Sequence, residues 1–161
     1  MMLFLGRKQR ANGRDMLGAV AVRAQRQNWT ARQALRVARL CVQCCLTESN
    51  MRIYANGNNP ESLRLPHDAV GWDHDSVGMF QQRTPSWGTT ADCMDPRKSC
   101  HKFMNRAAEL GVDLNFAIAP RHAIQDVQVS YDSTGNNYGR NRLRAVLFVA
   151  RYWNTRERKV R

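Results

Sequence analysis

The stretch WTARQALRVARLCVQCCLTESN, residues 29–50, decides the fold. Thr30 and Gln33 have the spacing of a capping box, in which hydroxyl and amide satisfy two N–H groups left unpaired by the first helical turn. Ala34, Val37, Ala38, Cys41 and Cys45 then recur at helical spacing, so one face of this helix is apolar and must be covered. Glu48 follows Cys41 by seven positions, Cys44 by four and Cys45 by three, and so falls on that same face. A carboxylate there is costly unless it is paired, metal-bound or protonated. Partial burial raises its pKa, which is what a general acid needs near neutral pH. The position equally admits a helix that frays by residue 48 and leaves Glu48 solvated.

Outward from this helix, the pattern stays helical. DMLGAVAVRAQRQN (15–28) reads as a first helix. In DPRKSCHKFMNRAAELG (95–111), Asp95 is a good N-cap, Pro96 suits the first helical position and Gly111 ends the run. Cys100, Phe103, Met104 and Ala107 form its apolar stripe. PRHAIQDVQVSY (120–131) and RNRLRAVLFVARYW (140–153) are predicted as two more helices. Strand signals are weak and amount to a small hairpin within 50–90. That segment of about 40 residues is far longer than an ordinary connection, which points to function. The expectation is a mainly α single domain with a long Gly/Pro/Asn-rich segment inserted between helices.

Within that segment, GWDHDSVGMFQQRTPSWGT (71–89) sets Trp72, Phe80 and Trp87 around Asp73, His74, Asp75, Gln81 and Gln82. Such a mixture suits recognition of an uncharged polar ligand such as a sugar, placement of a metal, or a buried aromatic corner beside a solvated acidic turn.

A length of 161 residues with 43% hydrophobic content supports one domain with a real core. Of the net charge of +12, residues 1–28 and 151–161 hold +9 and residues 29–150 only +3. Basic ends attract polyanions, or simply keep the chain soluble. The opening MMLFLGRKQR has too short an apolar run for a signal-peptide core or a membrane span. The expectation is a protein made in the cytoplasm without a signal peptide. Five cysteines, an odd number, do not make a disulfide framework at this length. Cys41, Cys44 and Cys45 read as small buried hydrophobes on the helix, whereas Cys93 and Cys100 bracket MDPRKS and are free to pair in an oxidising compartment.

TESN (47–50), followed some thirty residues later by DSVGMFQQ (75–82), resembles the lysozyme-like superfamily, specifically lytic transglycosylases and goose-type lysozymes. In that family the catalytic glutamate ends a helix in a Glu-Ser pair, matched here by Glu48-Ser49. A later Gly-Leu-Met-Gln turn lines the sugar cleft, matched by Gly78-Met79-Phe80-Gln81 with Leu-Met changed to Met-Phe. The wider pattern looks closest to lysozyme-like modules of actinobacterial cell-wall proteins and of phages that infect such hosts. The resemblance covers about residues 30–140. It divides the chain into a basic segment and first helix (1–28), a lysozyme-like catalytic domain (29–153) and a basic tail (154–161).

The resemblance implies cleavage of the β-1,4 bond between N-acetylmuramic acid and N-acetylglucosamine in peptidoglycan, with no cofactor and no metal. Glu48 would give the proton, while Asp75, or in second place Asp73, would hold a water or stabilise positive charge. Ser49, Gly78, Met79, Phe80, Gln81, Gln82 and Trp87 would line the cleft, with Trp72 as a further stacking ring. The sequence departs from goose-type enzymes by having Gln82 and Arg83 where an aspartate follows the turn. The transglycosylase Tyr-Asn-Ala-Gly motif is absent as such, which leaves Tyr131 as the matching tyrosine and Tyr138 in reserve. The implied partners are peptidoglycan glycan strands, with anionic wall polymers or other phage proteins for the basic ends. Neither a specific nucleic acid nor a membrane span is expected. Delivery to the wall would come from a holin or from the phage particle.

The main rival is a non-catalytic lysozyme-like module that binds glycan or serves in a virion, from which one glutamate separates the enzyme. A zinc site assembled from Cys41, Cys44, Cys93, Cys100 and histidines is disfavoured, because the first pair lies within a helix and no second knuckle follows. No Gly-x-Ser-x-Gly elbow occurs.

Overall fold

A computed structural model describes residues 5–84, 86–114, 120–129 and 133–153. It is mainly helical: α1 (Arg7–Arg26), α2 (Ala31–Glu48), α3 (Thr90–Met94), α4 (Pro96–Glu109), α5 (Pro120–Gln128), α6 (Asn136–Gly139) and α7 (Arg142–Tyr152). Among the described residues, no helix is long and apolar enough to cross a membrane.

The α2 pattern is realised as read. Thr30 Oγ1 accepts from the Gln33 N–H, and the Gln33 side chain accepts from the Thr30 N–H at 2.8 Å. The apolar face is covered by helices from both ends of the chain. α1 packs on α4 and α2, while α2 also packs on α5, α6 and α7. Met16, Leu17 and Val20 from α1 join Val37, Cys41 and Cys44 from α2 in one core, closed by Phe103, Ile124 and Phe148. These side chains are completely or almost completely withdrawn from water. Burial of an aliphatic or aromatic side chain stabilises by about 1.5–3 kcal/mol, so this shared face is the main source of stability.

α4 starts and stops as its caps predict. Asp95 accepts from the Arg97 and Lys98 N–H groups at 2.8 Å each, and Gly111 takes the left-handed conformation at φ 68°. α1 differs from expectation by starting at Arg7 rather than 15. Its first turns look polar and unpatterned, yet they are anchored from outside. Gln9 accepts from the Gly6 N–H at 2.7 Å and donates to the Asn50 carbonyl at 2.7 Å, and Asn12 donates to the Met51 carbonyl at 3.0 Å. The helix predicted over 140–153 is present as α7, the single turn of α6 precedes it, and the short α3 carries no periodic signal at all.

Residues 50–90 contain more than a hairpin. β3 (Ser76–Val77) and β4 (Gln82–Arg83) do pair antiparallel, but β1 (Tyr54–Asn56) and β2 (Ala69–Gly71) pair parallel, with Tyr54 opposite Ala69. Two or three residues per strand are too few to show alternation, so side chains supply the missing order. Buried Asn56 donates from Nδ2 to the carbonyls of Asp73 and Ser76 at 3.0 and 3.1 Å and accepts from the Asn58 N–H at 2.9 Å. Its own N–H donates to Ser62 Oγ at 2.8 Å. Asp68 Oδ2 ties the lobe to α1 by accepting from Asn12 at 2.7 Å and from the Ile53 N–H at 3.0 Å. A small apolar cluster of Ala55, Val77, Cys93 and Met94 lies beneath. All five cysteines are buried free thiols, so Cys93 and Cys100 are not joined: Cys93 belongs to this cluster and Cys100 to the main core.

Gly78 stands at the junction of lobe and core at φ 75°, where a Cβ would lie 2.0 Å from the Cys93 carbonyl oxygen. Gly111 shares the left-handed backbone, at φ 68°, with nothing near its missing Cβ. Gly111→Ala is therefore expected to lose about 1 kcal/mol, the conformational cost alone. Gly78→Ala adds a backbone clash and is expected to lose about 3 kcal/mol or more. Paired urea titrations of the two variants measure the difference, and equal losses would show that the turn yields freely around Cys93.

Candidate functional site

The last turn of α2 is where the chain brings its distant segments together. After Glu48 the backbone reverses through two consecutive left-handed residues, Asn50 at φ 49° and Met51 at φ 62°. The Met51 N–H returns to the Cys45 carbonyl at 3.1 Å, and its side chain is fully buried. Ser49, also buried, donates from Oγ to the Met79 carbonyl at 2.8 Å. The Glu-Ser pair and the 78–81 turn, thirty residues apart in sequence, are thus in direct contact. Arg144 from α7 donates to Asn50 Oδ1 at 2.7 Å, and Asn141 donates to Thr47 Oγ1 at 3.0 Å.

Glu48 itself is half-buried at the helix end, so the helix does not fray before it. The hydroxyl of Tyr138 donates to Glu48 Oε1. Gln128, at the end of α5, also hydrogen-bonds Glu48 and donates from Nε2 to the Phe80 carbonyl at 2.6 Å. Burial pushes the Glu48 carboxyl above its ordinary range. The hydrogen bonds from Tyr138 and Gln128 partly oppose that shift, and the charge of Asp73 adds to it. Desolvation is the largest cause, so the neutral acid is favoured mainly by the apolar wall around Cys44 and Cys45. Those thiols are in turn raised well above their ordinary value, first by burial, and remain protonated.

The other sequence-nominated residues divide sharply. Tyr138, the reserve, is the tyrosine that reaches Glu48, while Tyr131 lies outside the described residues. Asp75 does not stand free: its Oδ1 lies 2.5 Å from Arg83 Nε across the base of the β3–β4 ladder. Asp73 is exposed, with Oδ1 2.8 Å from His74 Nδ1, and its charge is felt at Glu48.

The cleft-lining role expected for several side chains needs correcting. Met79 and Phe80 are fully buried, and Phe80 stacks on Phe103 with ring centroids 5.3 Å apart, so neither side chain lines an open cleft. Gln82 is fully buried too and donates from Nε2 to the Ser99 carbonyl at 3.0 Å. Gln81, at φ 49°, closes its own turn by donating to the Gly78 carbonyl at 2.9 Å. Trp87 is half-buried between the main core and the small cluster. The exposed ring is Trp72, 71% open to solvent, laid across Gly57 so closely that a Cβ there would meet it at 2.2 Å.

Sequence reasoning missed Gln128. Its signal was present: it stands four residues after buried Ile124, so a polar amide continues the apolar stripe of α5. Compared with known proteins, the chain matches no family model, and no curated protein matches it either.

The raised carboxyl links stability to pH. The folded chain keeps on Glu48 a proton that the unfolded chain releases near the ordinary value of 4.5. That contribution is complete below the ordinary value and is lost as pH rises through the higher folded-state value. Glu48→Gln preserves the shape without the ionisation. It is expected to raise Tm relative to the parent at pH 7, with the gain disappearing below about pH 4. Thermal unfolding of both proteins from pH 3 to 8 checks this, and a gap that does not depend on pH would contradict the burial argument.

Proposed function

We propose that this protein cleaves the β-1,4 bond between N-acetylmuramic acid and N-acetylglucosamine in peptidoglycan, with Glu48 as the proton donor. The observation that carries the reading is the environment of Glu48: a carboxyl at the end of a helix, kept towards its neutral form by burial and oriented by Tyr138 and Gln128. Glycosidic cleavage needs a proton delivered to the leaving oxygen as positive charge develops at the anomeric carbon. A carboxylic acid poised above its usual pKa does this near neutral pH. The Glu48-Ser49 pair in contact with the Gly78–Gln81 turn supports the likeness to lytic transglycosylases and goose-type lysozymes.

The transglycosylase outcome has the better support. An inverting hydrolase needs a second carboxylate to activate water, and the groups stand about 6.5–9.5 Å apart. Asp75 is held by Arg83, which ties up its charge and one carboxylate oxygen. A transglycosylase uses Glu48 twice. It first protonates the leaving oxygen as the glycosidic bond breaks, then accepts the proton of the muramic 6-hydroxyl as that oxygen closes on the anomeric carbon. The product is an anhydro sugar and no water is consumed. The setting that fits best is a lysin or a virion-associated wall-opening enzyme of a phage infecting actinobacteria.

Zymography on purified peptidoglycan should show Glu48→Gln losing about 10²–10⁴-fold of the activity while circular dichroism stays unchanged. Clearing by the folded variant at the parent's rate would refute the assignment. Mass spectrometry of the digest is expected to show anhydromuramyl ends that persist in Asp75→Asn. Reducing ends that vanish in that variant would instead assign Asp75 to water activation.

A further inference from the structure

We propose that the groove between the last turns of α1 and the outer face of α4 binds a phosphomonoester whose organic group is apolar or aromatic. This site is separate from Glu48. Gln9, near the start of α1, bonds the Asn50 carbonyl beside the end of α2. Arg23 lies fourteen residues further along α1, about 20 Å away at about 1.5 Å per residue.

Arg23 and Arg26 from α1, Gln27 from its C-cap, and His101 and Asn105 from α4 line a recess of about 400 Å³. Arginines in a last helical turn are common because they offset the helix dipole. Here the arrangement goes further. Arg23 Nη1 donates across the groove to Asn105 Oδ1 at 2.5 Å, which fixes the plane of its guanidinium. Among the described residues, neither Arg23 nor Arg26 makes an ion pair with a carboxylate. The positive potential of both converges on His101, whose pKa is lowered by burial first and then by Arg23 and Arg26. Two guanidiniums without a carboxylate partner among the described residues, flanked by the side-chain amides of Gln27 and Asn105, form a natural receptor for a tetrahedral oxyanion.

A second recess of about 300 Å³ shares Arg23 and Gln27 with the first, and the half-buried side chains of Trp29 and Val112 give it an apolar wall over buried Met104 and Ala107. Asp113 lines it as well, so the ligand's anionic group is assigned to the Arg23–Arg26 side. A phosphate held by the arginines would place its ester group on Trp29 and Val112. This juxtaposition selects for a phosphorylated apolar molecule over phosphate alone.

Calorimetric titration of the full chain with phenyl phosphate, inorganic phosphate and phenol tests the proposal. Phenyl phosphate is expected to bind one to one, at least about tenfold tighter than either fragment. Arg23→Gln/Arg26→Gln, and Arg26→Gln alone as the milder change, should each weaken it, the double variant by about tenfold or more. Arg32→Gln/Arg39→Gln removes the same charge from α2 and should alter affinity less than about twofold. Bound phenyl phosphate should also raise the NMR titration midpoint of His101. No binding to the wild-type chain, equal binding of phosphate and phenyl phosphate, equal weakening by the two double variants, or an unmoved His101 midpoint would each overturn the proposal.

Discussion

The reversal of the chain after α2 is the constraint on which the remaining structure depends. Asn50 and Met51 both occupy left-handed backbone that residues with side chains rarely adopt, a conformation that costs on the order of 1–3 kcal/mol each. It persists because surrounding contacts over-determine it. Met51 is fully buried, Gln9 and Asn12 from α1 hold the carbonyls of Asn50 and Met51, and Arg144 from α7 holds the Asn50 side chain. Three helices from distant parts of the chain thus converge on one bend. Glu48 sits immediately before it, so the same contacts that fix the reversal also fix the carboxyl.

The electrostatics of Glu48 follow from opposing effects with a clear order. Withdrawal from water disfavours the carboxylate most strongly, while Tyr138 and Gln128 restore part of its preference by donating hydrogen bonds. An apolar wall alone would leave a neutral carboxyl without a defined orientation. Hydrogen bonds alone would leave an ordinary ionised glutamate. The combination holds an acid in place with its protonation poised, and it needs side chains from α2, α5 and α6 together.

The polar and aromatic segment 71–89 has two faces. One is turned inward, with Met79, Phe80 and Gln82 serving as core and connector to α4 through Phe103 and Ser99. The other is turned outward, with Trp72 and Asp73 exposed. The Oε1 of Gln82 has no hydrogen-bond partner among the described residues, a cost accepted where the amide bridges β4 to α4. Short strands suffice in this lobe because Asn56, Ser62 and Asp68 satisfy the backbone and lock it to α1.

What the sequence determined by itself was local. The capping box at Thr30, the cap at Asp95, the stop at Gly111 and the apolar stripes of α2 and α4 were all legible, because each depends on residues within a turn or two. The burial-prone position of Glu48 was legible for the same reason, since periodicity places it on the face of Cys41 and Cys45. The tertiary structure decided everything that needs two distant segments. It lengthened α1 to Arg7 through bonds to residues 50 and 51, and made β1 and β2 parallel through Asn56 and Ser62. It turned Asp75 towards Arg83, and it placed the side chains of Tyr138 and Gln128 on Glu48. A helical pattern reports which face must leave water, whereas the partner that face meets is set by how all the faces pack at once.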